Sequence, residues 1–257
     1  METVRSNDGT RIAFDRLGEG PPVVLVCGGS VDKTSNAELA RLLASSFTAL
    51  NFDRRGRGDS GDTLPYAVER EVEDIAAVVA AAGGEAHLWG SSSGAALALI
   101  AAASGLPITK LALWEPPFVP EGLPRPPEDQ VAQYERMVAE GRRGDAVEYF
   151  MSMVVGMPPE LVAGARSQPF WASQEALAHT LAYDARVMSD YTVPTERAAG
   201  VTVPTLVIAG GADFPWMRET AQALADAMPH GEARFLDGQG HAVDPKALAP
   251  VLKEFFA

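Results

Sequence analysis

The sequence has little cysteine, little basic charge and no long apolar run. Its 257 residues include one cysteine, so no disulfide can form within the chain, as is usual in reducing compartments. There are 21 basic and 34 acidic residues, and a net charge of −13 disfavours nucleic acid, whose binding needs a cationic face. No apolar run approaches the roughly 20 residues of a membrane span. The N-terminus lacks the basic and then apolar pattern of a secretory signal. We therefore expect a cytoplasmic protein with no nucleic-acid or membrane partner.

Short apolar runs alternate with amphipathic stretches along most of the chain. Six such runs predict buried strands, and they lie at 23–27, 48–52, 86–89, 110–114, 205–208 and 233–236. Their alternation with helical patterns predicts an α/β fold with a mostly parallel, doubly wound sheet and helices on both faces. Ahead of the first run, Asn-Asp-Gly at 7–9 separates two alternating segments and predicts an N-terminal hairpin.

The alternation is interrupted between residues 118 and 195. A proline-dense segment ends the sheet pattern, and the residues that follow are helical in pattern with no strand candidate. We interpret 118–195 as a helical cap inserted into one core made of 1–117 and 196–257. Methionines and aromatic residues are frequent in the cap, and they either line an adaptable apolar pocket or pack the cap onto the core. The residues predicted to line the pocket are Met151, Met153, Trp171, Met188 and Trp216.

The strongest chemical signal is G-S-S-S-G at residues 90–94, between a predicted strand and a predicted helix. In the pattern G-x-S-x-G, a sharp strand-to-helix turn lifts the central serine hydroxyl above the sheet as a nucleophile elbow. Ser92 is therefore the candidate nucleophile. The Ser93 amide, at a helix N-terminus, is a candidate donor to an anion that forms beside it. The alternative is a plain small-residue turn or a phosphate-binding loop.

A serine hydroxyl needs a base, and that base needs a carboxylate to fix its tautomer. His241 lies in a glycine-rich loop after the last predicted strand and is the candidate base. Asp213 directly follows the strand at 205–208 and is the candidate acid, because the chain order serine, acid, histidine accompanies G-x-S-x-G. Glu115, at the end of the preceding strand, competes for the same role.

A second oxyanion donor is predicted after the first parallel strand, in the turn C-G-G-S at residues 27–30. Glycine has no Cβ, so the backbone there can approach a ligand closely. We select the amide of Gly29 as the partner of Ser93, with a plain tight turn as the alternative. Cys27 stands at the end of a buried strand and is expected to behave as a small apolar residue.

Together these motifs resemble the α/β-hydrolase fold superfamily over nearly the whole chain. The segment D-R-R-G-R-G-D-S at residues 53–60 resembles the D-x-R-G-x-G-x-S segment of that family, where it is structural. The segments at 210–213 and 240–241 resemble the family's acid and histidine segments. The resemblance also implies a cap above Ser92. The chain departs from the family at Cys27, where relatives usually carry histidine before the glycine.

The resemblance implies a serine esterase-like hydrolase with a catalytic triad, no cofactor and no metal. Its expected substrate is a small, mainly apolar ester, lactone or thioester, cleaved through an acyl-enzyme. The same triad can also serve C–C hydrolysis, perhydrolysis or a lyase or cyclase step in a biosynthetic pathway. A non-catalytic ligand-binding protein is a further alternative, because fold does not determine function. The expected partner is a small-molecule substrate, and the sequence leaves a homodimer open.

Overall fold

The computed structural model describes residues 1–257 and contains one eight-stranded sheet. The strands are β1 (Glu2–Arg5), β2 (Arg11–Leu17), β3 (Pro22–Val26), β4 (Thr48–Phe52), β5 (Ala86–Ser91), β6 (Ile108–Trp114), β7 (Thr205–Ala209) and β8 (Gly231–Phe235). Their order in the sheet is β1-β2-β4-β3-β5-β6-β7-β8. Strand β2 runs antiparallel to β1 and β4, and every other pairing is parallel. The predicted mostly parallel sheet with an N-terminal hairpin is confirmed.

Eleven α-helices accompany the sheet. They are α1 (Ala37–Leu43), α2 (Val68–Ala81), α3 (Ser93–Ala103), α4 (Gln130–Ala139), α5 (Arg143–Tyr149), α6 (Pro159–Ala165), α7 (Trp171–Leu177), α8 (Leu181–Met188), α9 (Thr195–Ala199), α10 (Trp216–Ala227) and α11 (Pro245–Phe256). No helix has the length and apolar character needed to cross a membrane.

Helices cover both faces of the sheet. On one face, Val24 of β3 joins a core cluster with residues of α2, α3 and α10. On the other face, Val23 and Leu25 join a second cluster with residues of α1 and α11. Successive side chains of a strand point to opposite faces, so a strand buried on both faces needs an unbroken apolar run. The doubly wound arrangement follows directly from runs such as P-V-V-L-V in β3.

The chain between β6 and β7 contains helices α4 to α9, and we call α4 to α8 the cap. A π-helical turn at Phe150–Val154 and a 3₁₀ turn at Ala178–Thr180 connect some of these helices. The cap has its own apolar cluster, which includes Tyr134 and Leu181. The segments that lead into and out of the cap meet at an isolated bridge between Val119 and Thr192. The cap is therefore a helical layer that leaves the sheet and returns to it at one place.

Candidate active site

Ser92 occupies the turn between β5 and α3 with φ 55° and ψ −129°. This backbone conformation is costly for a residue with a side chain and persists only where the surrounding structure imposes it. A Cβ on Gly90 would collide with the backbone of Gly94, and a Cβ on Gly94 would collide with the carbonyl oxygen of Cys27. Close packing of this turn against β3 therefore requires both glycines of the motif. The result is a serine held at the carboxyl edge of the sheet.

The ring of His241 faces Glu115, which directly follows β6. Nδ1 of His241 and Oε2 of Glu115 are 2.8 Å apart. The other carboxylate oxygen, Oε1, accepts hydrogen bonds from the amides of Gly210 and Gly211 at 2.9 and 3.0 Å. Glu115 is 1% exposed, so its carboxylate is fixed in a dry site by three donors. A carboxylate at Nδ1 favours the tautomer with the proton there, which leaves Nε2 of His241 as the basic nitrogen.

Asp213, the acid predicted from the sequence, makes no hydrogen bond to the imidazole. Its Oδ2 accepts a hydrogen bond of 2.9 Å from the backbone amide of His241, and its side chain is exposed. A Cβ on Gly240 would collide with this carboxylate, so the contact depends on glycine at that position. The structure thus corrects the prediction of Asp213 as the ring partner, because the ring turns toward the end of β6. The competing candidate, Glu115, occupies that place.

The backbone of His241 is held on both sides. Asp213 binds its amide, and Nε1 of Trp114 donates a hydrogen bond of 2.9 Å to its carbonyl oxygen. The ring of Phe214 also lies edge-on to the imidazole, with 6.1 Å between ring centroids. Asp213 therefore helps to hold His241 in place from its backbone side. Trp114 and Phe214, which the sequence did not single out for this role, contribute to the same support.

The two predicted oxyanion donors lie beside Ser92. A Cβ on Gly28 would be 3.1 Å from Cβ of Ser92, and a Cβ on Gly29 would be 3.3 Å from Oγ of Ser93. The Gly29 amide donates to no other backbone group. Ser93 is the first residue of α3, where a helix leaves the amide without an intrahelical acceptor. Both amides can therefore donate to an oxygen anion that forms next to Ser92.

Arg57 braces the turn that carries Gly29. Its Nη1 donates to the carbonyl oxygens of Gly28 and Val31 at 2.6 and 3.2 Å. Its Nη2 donates to Oδ1 of Asp184, 2.8 Å away in helix α8 of the cap. The buried guanidinium therefore connects helix α8 of the cap to both ends of the turn, at Gly28 and Val31. The sequence suggested a structural role for this segment but gave no sign of its partner in the cap.

Asp184 links the cap to Ser93 and, through Arg57, to the turn at residues 27–30. Its Oδ1 also accepts hydrogen bonds from Oγ of Ser93 and Nη1 of Arg54, each 2.8 Å long. Burial alone would raise the pKa of Asp184, but the charges of Arg57 and Arg54 lower it overall. Arg54 is in turn paired with the buried carboxylate of Glu71 at 2.7 Å. Two buried arginines, Arg54 and Arg57, are therefore balanced by two buried carboxylates, Asp184 and Glu71, so each of these charges has a partner of opposite sign.

Cys27 ends the strand before this turn and is fully buried. Burial raises the pKa of its thiol above the ordinary value, although the charges of Arg57 and Arg54 oppose the shift. A thiol with a raised pKa is a poor nucleophile, so Cys27 packs as a small apolar residue. Cys27, which stands where relatives usually carry histidine, thus makes no charged contact with the turn. The hydrogen bond to the carbonyl oxygen of Gly28 comes instead from Arg57.

Ser92, His241, Gly29 and Ser93 all line one cavity of about 820 Å³ between the core and the cap. Three of the predicted pocket residues line it: Met153, Met188 and Trp216. Further apolar lining comes from Phe150 and Tyr191, which are among the aromatic residues of the cap, and from Leu123, Val154 and Phe214, which the sequence did not single out. The site therefore opens into a mainly apolar chamber.

Two of the predicted pocket residues do not line this cavity. Trp171 is buried in the apolar cluster of the cap, where its Nε1 donates to Oε1 of Glu175. Met151 packs against the same cluster. The prediction for these two residues is corrected by the geometry of the cap. In the π-helical turn Met153 faces the cavity and Met151 faces the apolar cluster, whereas Trp171 lies in α7 and belongs to that cluster.

Comparisons with known proteins give the same architecture. The model of the alpha/beta hydrolase family matches residues 23–251. The chain is 30% identical over 244 residues to a pimeloyl-[acyl-carrier protein] methyl ester esterase of Xanthomonas campestris pv. campestris, which covers 89% of this chain and 91% of the relative.

Solved structures also match over the full length. An alpha/beta hydrolase from Sphaerobacter thermophilus is 56% identical, with a TM-score of 0.93 and complete coverage of both chains. A thermophilic esterase from Thermogutta terrifontis shares the fold at 24% identity, with a TM-score of 0.76 and coverage of 99% of this chain and 97% of that one. The chain therefore belongs to the alpha/beta hydrolase family of enzymes.

Proposed function

We propose that this enzyme is a cofactor-independent serine hydrolase that cleaves a small, mainly apolar carboxylic ester, lactone or thioester. The observation that carries the proposal is the contact of 2.8 Å between His241 and the buried Glu115, with His241 on the same cavity as the strained Ser92. A buried carboxylate that orients an imidazole on the same cavity as a nucleophilic serine is the arrangement that acyl transfer needs. The pimeloyl methyl ester esterase that covers most of the chain supports an ester as the substrate.

The first half of the reaction forms an acyl-enzyme. Oγ of Ser92 attacks the carbonyl carbon while Nε2 of His241 removes its proton, and Glu115 stabilises the imidazolium that results. The carbonyl oxygen becomes an anion and accepts hydrogen bonds from the amides of Gly29 and Ser93. The bond to the leaving group then breaks as His241 transfers the proton to the departing oxygen or sulfur atom.

The second half of the reaction returns the enzyme to its starting state. A water molecule attacks the acyl carbon of the acyl-Ser92 ester, and His241 accepts the proton of that water. A second oxyanion forms at the same pair of amides, and its collapse breaks the bond to Ser92. The carboxylic acid leaves, and His241 returns the proton to Oγ of Ser92.

The chamber supports an apolar acyl group. Its wall combines the methionines and aromatic rings of the cap with Trp216 and Leu248 of the core. Flexible methionine side chains adapt to chains of different shape, and buried aromatic rings offer large apolar contact areas. We therefore expect activity on acyl groups longer than acetyl.

The test compares the wild type with S92A on 4-nitrophenyl esters whose acyl chains have two to ten carbons, on a lactone and on a thioester. We expect S92A to lower kcat by several orders of magnitude, as removal of a triad residue does. A fluorophosphonate probe should label the wild type and not S92A, and mass spectrometry should detect the acyl group on Ser92. Unchanged turnover in S92A would overturn the mechanism. Turnover of none of these substrates, with no labelling, would instead favour a ligand-binding protein.

A further inference from the structure

One cation faces the substrate cavity without a partner in the protein. Arg125, in the proline-rich segment that leads into the cap, is the only arginine or lysine that lines the cavity. Its guanidinium makes no hydrogen bond and no ion pair with the rest of the protein. The side chain is exposed to solvent, so an anion can reach it.

Arg197 also lacks a partner, but Arg125 is the unpaired arginine that lines the cavity. With 34 acidic residues against 21 basic ones, carboxylates are plentiful, and Arg54 and Arg57 bind the carboxylate of Asp184 directly. Hydrogen bonds from Thr192 lower the pKa of Asp190, and the charge of Arg125 contributes to the same shift. However, Oδ1 of Asp190 already accepts hydrogen bonds from the amide and the hydroxyl of Thr192, at 2.9 and 2.6 Å. All five donors of the Arg125 guanidinium remain available.

The segment around Arg125 presents the side chain on a stiff backbone. Arg125 stands between Pro124 and Pro126, and a further proline follows at 127. Proline fixes its own φ and restricts the residue before it to extended conformations. A stiff backbone loses little conformational entropy when a ligand binds. Leu123 and Met153, two exposed apolar residues that line the same cavity, provide an apolar rim near this cation.

We propose that Arg125 binds a carboxylate at the end of the substrate remote from the scissile bond. The inference rests on the proposed function, and it narrows the substrate class to apolar esters that carry one carboxylate, such as half-esters of dicarboxylic acids. The apolar chamber holds the methylene chain of the substrate. Ser92 attacks the ester at one end of this chain, and the planar guanidinium of Arg125 donates hydrogen bonds to the carboxylate at the other end. Arg matches a carboxylate with two parallel N–H donors, which a neutral side chain cannot reproduce.

The test compares substrates of equal length with and without the carboxylate. One series contains monomethyl esters of dicarboxylic acids with six, eight and ten carbons, and its neutral counterpart contains methyl esters of the matching monocarboxylic acids. A second pair moves the carboxylate to the leaving alcohol, so the two possible positions of the anion are distinguished. Each substrate is measured with the wild type, R125A, R125K and R125E at low and high salt.

We expect the wild type to favour one anionic series over its neutral counterpart by about fivefold in kcat/KM. This ratio corresponds to the upper end of the free energy measured for solvent-exposed ion pairs. R125A should remove this preference by raising KM for the anionic esters, and its kcat/KM for the neutral esters should equal that of the wild type. R125K should retain part of the preference, and R125E should reverse it. High salt should weaken the preference of the wild type. Arg197 also makes no side-chain hydrogen bond, is exposed and lies outside the cavity, so R197A makes the same charge change and should have no effect.

Two results would overturn the proposal: a wild type with no preference for either carboxylate position, or an R125A variant that loses activity equally on charged and neutral esters. Neither result would affect the proposed function, because Ser92-dependent turnover of the neutral esters would remain. If no ester is turned over in a Ser92-dependent way, the proposed function itself fails.

Discussion

Glu115 and His241 are separated by 126 positions in the chain, yet their side chains meet at 2.8 Å. The contact predicts that Glu115, and not Asp213, supports catalysis through the imidazole. In E115Q the amide can still accept hydrogen bonds from Gly210 and Gly211, but its N–H group would face Nδ1 and favour the wrong tautomer. We expect kcat to fall by about three to four orders of magnitude, the effect of the equivalent change in a serine protease.

The matched control is D213N. An asparagine oxygen can still accept the hydrogen bond from the amide of His241, so we expect less than a tenfold change in kcat. Both variants should keep the circular dichroism spectrum of the wild type. A loss in D213N as large as that in E115Q would show that the histidine loop moves during the reaction and that Asp213 is its catalytic partner.

Gln174 of the cap holds Ser30, the residue after Gly29. Its Oε1 accepts a hydrogen bond from the Ser30 hydroxyl, and its Nε2 donates to the Ser30 carbonyl oxygen at 3.0 Å. Ser30 has a left-handed φ of 57°, a conformation that needs support from its surroundings. We expect Q174A to misalign the Gly29 amide and lower kcat about tenfold with little change in KM, because the loss falls on the transition state.

Steady-state kinetics and thermal unfolding of Q174A together separate this positioning role from a merely structural one. Gln174→Glu keeps the acceptor for the Ser30 hydroxyl but loses the donor to the carbonyl, so its kcat should lie between those of Q174A and the wild type. A lower Tm with unchanged kcat in Q174A would show that the contact only stabilises the cap.

Met153 and Met151 are two residues apart but face different environments. Met153 lines the cavity, whereas Met151 packs against the apolar cluster of the cap. M153A removes apolar contact with the substrate, so we expect kcat/KM for octanoyl esters to fall several-fold and that for acetyl esters to stay constant. M151A should lower the free energy of unfolding without changing this chain-length preference. The same shift in both variants would mean that the cap rearranges as a unit.

The order of strands and helices could be predicted because its causes are local. A strand that is buried on both faces requires an unbroken apolar run, and a tight turn between β5 and α3 requires Gly90 and Gly94. These requirements leave a direct trace in the sequence. The position of Ser92 follows from them, because it lies between the two glycines.

The choice between Glu115 and Asp213 left no such trace. Glu115 directly follows β6 and Asp213 lies in the loop after β7, and because these parallel strands are neighbours, both residues lie at the same edge of the sheet. Glu115 reaches the ring because its own backbone adopts a φ of 39° and because two glycine amides face its carboxylate. These are properties of three chain segments that meet in space, and no local pattern of residues encodes them. The same holds for the contacts of Asp184 in α8, which come from Arg54 and Arg57 after β4 and from Ser93 at the start of α3.

His87 gives a prediction for stability against pH. It lies in β5 with Nδ1 2.7 Å from Oγ1 of Thr109 and its ring stacked on Phe256, 4.9 Å between centroids. Burial, together with the charge of Lys110, lowers the pKa of His87 from 6.5 to about 4. Between these two pH values the unfolded chain therefore binds a proton that the folded protein excludes. The contribution of His87 to the free energy of unfolding is constant above about pH 6.5 and falls as the pH drops toward 4.

Urea unfolding between pH 4.5 and 7.5 measures this effect as the difference between the wild type and H87Q. One such group changes the free energy of unfolding by at most about 1.4 kcal/mol per pH unit. H87Q should be less stable at pH 7.5, because it loses the stacking on Phe256, and its stability should fall less steeply toward pH 4.5. His230 lies in an exposed turn outside β5, so H230Q is the matched histidine-to-glutamine control. Equal slopes in H87Q and the wild type would mean that the fold accepts the proton at His87, and the acid sensitivity would then come from the carboxylates of the buried ion pairs.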